Sequence, residues 1–384
     1  MKHIKVSLTI VFCILIFILT SCGTEDSPPS DGGIENSIND ITQNDFVTMD
    51  IPEDANVIFG SSEYLIYSQI LDLSAGEKLL FRRYDISTGN TTDIIEVSYP
   101  YMSGKAGIVY DDYLYAVGTI SCQETLNVYK INVWSGEHSI VKTLDGQYTY
   151  VDFAVTDQLI ALLSVEMNDL GETVYQVESI NRDNGTDEVV TVERYSESVG
   201  NCITCIDAVK DHIYAYMITI DSEKLAYQII DFNVASGESI VYPLDLSTFF
   251  ESQGTINNDS ILTLKKVGTS FILNSINGRI LIINQENGKL ATIEIPEDLY
   301  RKIPGGYHLL YNSHPGETTC YIVSDTNEPS IYVYDSKHKT VSSISMEKDP
   351  NSSYHFLQAF DHKIMVRKDA GDSVSALRRN ASRS

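Results

Sequence analysis

Basic residues are scarce in this chain, 27 Lys and Arg against 53 Asp and Glu, for a formal net charge of −26. That balance repels nucleic-acid phosphates and anionic lipid head groups, so both are expected to be poor partners. It suits an exported protein kept in solution by dispersed carboxylates. Tryptophan is nearly absent, Trp134 standing alone in 384 residues, so no repeated unit docks through that side chain. Cysteine numbers six. Cys202 and Cys205 have the Cys-x-x-Cys spacing of metal ligands, but a structural zinc site needs four ligands and no second such pair or His pair follows. A local disulfide would fit an oxidising compartment. Residues three apart on a strand face opposite sides, which works against both readings unless the segment is a loop. Plain thiols are the simplest alternative.

Catalytic signatures are missing as well. The chain has no Gly-x-Ser-x-Gly elbow, no phosphate-cradling glycine loop, no His-Glu-x-x-His and no calcium loop. No catalytic residue, metal ligand or cofactor site is therefore singled out. His212 and His362 each follow an aspartate, Asp211 and Asp361, but Asp112-Tyr113 and Asp157-Gln158 fill the same slot elsewhere. The slot reads as a turn whose Asp bonds its own backbone.

What is present begins with a leader. Met1 to Ser21 carries Lys2 and Lys5, an apolar run from Val6 to Leu19 and no acidic residue, the pattern of a secretory signal. The run falls short of the about 20 apolar residues that span a bilayer. It ends in Leu19-Thr20-Ser21-Cys22-Gly23, which resembles the lipobox of bacterial lipoproteins, with Thr20 less common there than a small aliphatic residue. The resemblance implies cleavage before Cys22 and diacylglycerol on its sulfur, and two acyl chains suffice for stable anchoring. Residues 22–45 then form a polar tether rich in Ser, Asn, Asp, Pro and Gly, with a typical span of about 25 Å.

From residue 46 to 384 the chain repeats one short turn. Asp or Asn ends an alternating apolar run, Gly usually follows four residues later, and a second run begins. The copies are Asp85 with Gly89, Asn132 with Gly136, Asn181 with Gly185, Asn233 with Gly237 and Asn284 with Gly288. A sixth, Asp335, has Lys339 in place of glycine. Their period of roughly 50 residues marks an array of like units. Two further apolar runs precede each turn, making four antiparallel strands per unit, the blade of a β-propeller. Second strands start near Tyr64, Tyr113, Gln158, His212, Ser270, Cys320 and Lys363, so seven blades are expected.

The seventh blade lacks only its fourth strand. Phe46 through Asp54 matches Leu290 through Asp298, the fourth strand of the fifth unit and its exit. The N-terminal strand is therefore expected to complete the last blade and close the ring, removing exposed sheet edges. The whole pattern resembles β-propeller lipoproteins of the quinoprotein-like and tryptophan-aspartate-like superfamily. It departs from them in lacking Trp-Asp dipeptides, kelch Gly-Gly pairs, sialidase aspartate boxes and the tryptophan docking motif of quinone-dependent dehydrogenases.

Function is read from the two ends of the blades. The repeated turns are short and stereotyped, so their face is scaffold. Loops after strands two and four carry Tyr99, Tyr101, Tyr148, Tyr150, Tyr195, Phe249, Phe250, Tyr300, Tyr307 and Tyr354, aromatics suited to contact with sugars, peptides or another protein. The expectation is a lipid-anchored, extracytoplasmic binding or scaffolding module for an envelope protein or glycan, more a binder than an enzyme. The alternatives are an exported polysaccharide hydrolase or lyase and an assembly factor for envelope proteins.

Overall fold

The computed structural model describes residues 51–383 apart from 53–54, 73–76, 100–104, 106, 121–124, 145–147, 168, 170–172, 183–188, 197–200, 222–223, 247–260, 276–279, 287–288, 293–306, 311–317, 325–329, 345–351, 361–362 and 371–377. Cys22, the tether and residues 46–50 lie outside the described residues. Among the described residues every regular element is a β-strand, and the strands form antiparallel meanders in which sequence neighbours are also sheet neighbours. Six sheets have four strands, and the one that begins at Ser352 has three. This is a β-propeller.

The order of burial within a sheet follows from composition. Second strands such as Leu159–Met167 are apolar at nearly every position, and Tyr113–Gly118 is buried at all but its first residue. Strands packed between layers on both faces read as continuous apolar runs. Fourth strands such as His138–Leu144 are exposed at most positions and carry polar side chains. The core consists of separate seams between adjacent sheets. In one, Phe81, Val97, Leu114, Tyr115, Val128, Phe153 and Ile160 are all buried. Each such side chain contributes roughly 1.5–3 kcal/mol relative to exposure.

Buried tyrosines are the seam fillers, and two of them, Tyr129 and Tyr334, have paired hydroxyls, whereas Tyr216 Oη is buried without a hydrogen-bond partner among the described residues. Tyr129 Oη accepts from the Ile120 amide at 3.2 Å and from Asn127 Nδ2 at 3.1 Å, and Tyr334 Oη lies 2.6 Å from Ser270 Oγ.

The first strands carry bulges. Pairing with the second strand slips between Val57 and Phe59, Leu163 and Ser164, Ile203 and Cys205, Ile261 and Thr263, and Phe356 and Gln358. The two first strands without a slip, Gly107–Tyr110 and Tyr307–Leu310, have four residues each. A bulge adds local twist.

First strands of neighbouring sheets are latched by side chains that reach the next backbone. Asp152 Oδ2 accepts the Ile206 amide at 3.1 Å, and Asp207 Oδ2 accepts the Lys266 amide at 2.7 Å. Gln358 Nε2, in the last sheet, donates to Ile58 O of the first at 3.1 Å. One further backbone contact joins the fourth strand of the first sheet to the end of the second strand of the next. Ser98 and Thr119 exchange two backbone hydrogen bonds of 2.8 Å between the first and second sheets. Gly118 makes that approach feasible, because a Cβ there would lie 2.3 Å from Val97 Cγ1 and 2.7 Å from Ser98 O.

Candidate functional site

The repeated turn is built as its residues dictate. Asp85 Oδ1 accepts the amides of Ser87 and Thr88 at 2.9 Å each, and Asn132 Oδ1 accepts those of Trp134 and Ser135 at 2.9 Å. Gly89, Gly136 and Gly237 donate their amides back to the anchor carbonyls and sit at φ of 71°, 73° and 72°. Only glycine adopts that region freely. Lys339 takes the same place at φ 56° beside Asp335, whose Oδ1 accepts the Lys337 amide at 2.8 Å. Gly185 and Gly288 lie outside the described residues.

A second bond ties each of these turns to the tight turn before the second strand. The residue after the anchor donates its amide to the carbonyl that precedes that strand. The pairs are Ile86 to Glu63, Val133 to Asp112, Arg182 to Gln158, Val234 to Asp211, Gln285 to Thr269 and Ser336 to Thr318, at 2.7–3.0 Å. The bond occurs in six sheets and makes one end of the array a continuous clamped surface.

The tight turns differ from expectation in one respect. Where side chains bond their own turn, they are Ser61, which accepts the Glu63 and Tyr64 amides, and Thr156, which accepts those of Gln158 and Leu159. The aspartates reach outward instead. Asp111 pairs with Arg182 at 3.2 Å, and Asp112 accepts from Trp134 Nε1 at 3.0 Å. Asp111 and Lys210 occupy positive φ, 52° and 55°, the geometry of a two-residue hairpin turn that leaves the next side chain pointing away. Trp134 is held by more than Asp112, with the Arg83 guanidinium 4.3 Å from its ring centre and Tyr64 edge-on at 5.0 Å.

Among the histidines whose side chains are described, His212 is the one that turns inward. Its Nδ1 lies 2.6 Å from Asp231 Oδ1, and its Nε2 faces Asn233 Nδ2 at 3.2 Å. Asn233 cannot reverse its amide without losing the Ser236 amide bound to its Oδ1 at 2.9 Å. The network therefore assigns the proton to Nδ1, donated to Asp231, with Nε2 accepting from Asn233. Both ring nitrogens are engaged, which makes His212 a strut between strands rather than a base. His362 lies outside the described residues.

Next to it, the seam between the fourth and fifth sheets holds the most unusual amine. Lys266 Nζ stands 4.0 Å from the Phe271 ring centre and 5.5 Å from that of Tyr214, and donates to Gln285 Oε1 at 2.7 Å. Gln285 Nε2 donates in turn to Tyr242 Oη at 2.6 Å. Burial pushes the Lys266 ammonium down to about 8, against the opposing pull of Asp231 and Asp207. Because the unfolded chain holds that proton up to the ordinary lysine range, the penalty is full below pH 8 and is relieved as pH rises toward 10.5. Denaturant titrations should show the native protein gaining about 3 kcal/mol over that window relative to Lys266→Met. Parallel pH profiles for the two proteins would contradict it.

Between the third and fourth sheets the clamped turns leave a cleft of about 200 Å³, lined by Gln158, Leu159, Ser179, Asn181, Asp211 and Val234.

The aromatic residues expected on the opposite end are placed only by backbone. Tyr99, Tyr148, Tyr150, Tyr195, Tyr307 and Tyr354 belong to strands rather than loops, for the ladders run on into the connections. Tyr148 pairs with Glu166, for example, and Tyr195 with Tyr175. Tyr101, Phe249, Phe250 and Tyr300 lie outside the described residues. Cys202, Cys205 and Cys320 are free thiols, which removes the disulfide reading. The bulge at Thr204 sends Cys202 to Tyr175 Oη, 3.2 Å from Sγ, and buries Cys205. Burial first, then the Asp152 charge, raises the Cys205 thiol well above its ordinary range, so it is unreactive. Among the described residues no three His, Cys, Asp or Glu side chains gather as a metal site.

No protein-family model matches the chain, and no curated protein matches it. Solved structures do. An oligogalacturonate lyase in complex with manganese aligns with a TM-score of 0.53 at 10% identity, over 88% of this chain and 96% of that one. The β-propeller domain of the Trilobed protease from Pyrococcus furiosus, which has an open velcro topology, aligns with a TM-score of 0.51 at 6% identity, over 86% and 96%. A prolyl endopeptidase aligns with a TM-score of 0.50 at 11% identity, over 84% of this chain, which spans 47% of that protein's length. Likeness at these identities is likeness of fold.

Proposed function

We propose that this chain is an extracytoplasmic lipoprotein, anchored to the cell membrane through acyl chains on Cys22, whose seven-bladed propeller is a binding or scaffolding module for an envelope protein or glycan. The contrast between the two ends of the array carries the reading. Six amide bonds clamp the turn end, whereas the two longest connections, 245–260 and 293–306, both join a fourth strand to the next first strand and so emerge at the other end. A rigid frame that presents variable loops is a common arrangement for recognition. The test is capture from detergent-solubilised envelope and from a glycan array, with the full chain and a variant shortened in 245–260. A partner retained by that variant would place recognition elsewhere, and absence of any bound protein or glycan would overturn the reading. Cys22→Ala should abolish incorporation of a labelled fatty acid.

Ring closure belongs to the same proposal. Gln358 bonds Ile58 across the first and last sheets, and Ile51 is buried against Val57, Leu65 and Tyr67. Both support an N-terminal segment that passes this seam and supplies the strand beside Arg378–Arg383. The open topology of the Trilobed domain is the contrary precedent. Cysteines placed at residues 48 and 380 should cross-link in a closed ring only.

A polysaccharide lyase is the second reading, favoured by alignment with nearly the whole of the oligogalacturonate lyase. Incubation with oligogalacturonate and manganese, followed by ultraviolet absorbance of an unsaturated product, separates it from a binder.

A further inference from the structure

We propose that the cleft between the third and fourth sheets is a binding site for a single uncharged pyranose sugar, separate from recognition at the loop end. Its shape comes from the clamped turns. Gln158 and Asn181 stand on the two tied turns of the third sheet, and Asp211 and Val234 on those of the fourth. Both walls are thus fixed by backbone bonds, which removes ordering cost on binding.

The depth of the cleft sorts its lining. Leu159 and Ser179 are each 4% exposed and make the bottom, with Val234 half-buried beside them. Gln158 is exposed and Asp211 half-buried, so these form the rim. An apolar floor beneath polar edges matches a sugar ring, which presents C–H groups on its faces and hydroxyls around its circumference.

Two groups in this lining await a partner. The hydroxyl of Ser179 makes no hydrogen bond to protein among the described residues and is not sealed from water, so it is open to a ligand in the cleft. Among the described residues the Asp211 carboxylate meets only the neighbouring His212, whose Nε2 is 3.8 Å away and accepts from Asn233, and no Lys or Arg lines the cleft. A ligand with several hydroxyl donors satisfies both groups, one against Asp211 and one against Ser179, while an anionic ligand is repelled. The volume of about 200 Å³ is below the roughly 300–1,000 Å³ of pockets for drug-sized molecules. It accommodates one ring and not an oligosaccharide.

Saturation-transfer NMR on the intact protein with D-glucose, D-galactose, D-mannose and N-acetyl-D-glucosamine tests the site, with D-glucuronate as the anionic control. At least one neutral sugar should bind in the millimolar range and D-glucuronate more weakly. Asp211→Asn keeps the size of the side chain, and Ser179→Ala removes a single oxygen, so both proteins should fold. Each should weaken binding about tenfold. The proposal is overturned if no neutral sugar shows transfer, or if both variants bind as the native protein does. A glycan held at the loop end keeps its affinity in both variants, so the two proposals fail separately.

Discussion

Asp207→Ala is expected to lower the free energy of unfolding by about 3–5 kcal/mol, the usual cost of removing one member of a buried charge pair. Asp207 is 2% exposed and holds two donors from the fifth sheet, Lys265 Nζ at 3.0 Å and the Lys266 amide at 2.7 Å. Alanine leaves the Lys266 amide without its acceptor and takes the carboxylate away from Lys265, whose side chain is 24% exposed. The amide is the more serious loss, since a backbone donor cannot turn away. Asp207→Asn retains one acceptor and should fall between the two. Combining Asp207→Ala with Lys265→Met removes the ammonium that has lost its carboxylate and should recover part of the loss. Urea titrations of the four proteins decide the matter, and a loss under 1 kcal/mol for Asp207→Ala would show that the latch is not needed.

Gly118→Val should cost about 3 kcal/mol or more, from overpacking and from the loss of two backbone hydrogen bonds. Its new Cβ would lie far inside contact distance of Val97 Cγ1 and of Ser98 O. Val97 can be trimmed, so Val97→Ala should offset part of the cost. Ser98 O is backbone and takes part in the bridge to Thr119, so the rescue stays partial. Thermal unfolding of the single and double variants measures both effects, and full rescue by Val97→Ala would assign the whole effect to the side chain.

The sequence carried the periodic parts of this structure and missed the contacts between units. The anchors at Asp85, Asn132, Asn233 and Asp335 were legible because the turn is local, with side-chain acceptor, donors and glycine all within five residues. Second strands were legible because burial on both faces leaves an unbroken apolar run. Asp152, Asp207 and Gln358 were not. Their partners lie 54, 59 and 300 residues away, and a single acid within an apolar strand looks like any other exception to alternation. The same holds for Lys266, whose low proton affinity comes from burial in a seam between two sheets.

The candidate sites fared unevenly for physical reasons. Spacing alone made Cys202 and Cys205 look like a pair on opposite faces, and a bulge at Thr204 is invisible in spacing. The Asp-His slot at Asp211 and His212 was rightly read as a tight turn, but the direction of its aspartate depends on a positive φ one residue earlier, at Lys210. The cleft beside it arises where two turn pairs from neighbouring sheets stand apart, and no motif within either sheet encodes that gap.

The bond from the residue after each anchor to the carbonyl before the second strand uses backbone atoms alone. Its donors are Ile86, Val133, Arg182, Val234, Gln285 and Ser336, three aliphatic residues and three polar ones. Mutation cannot erase such a bond, except by proline, which has no amide hydrogen. The position can therefore wander through nearly the whole alphabet while the hairpins stay tied, as the glycine position has wandered to Lys339. Copies of a unit held this way can differ from one another at that position while each hairpin keeps the same tie.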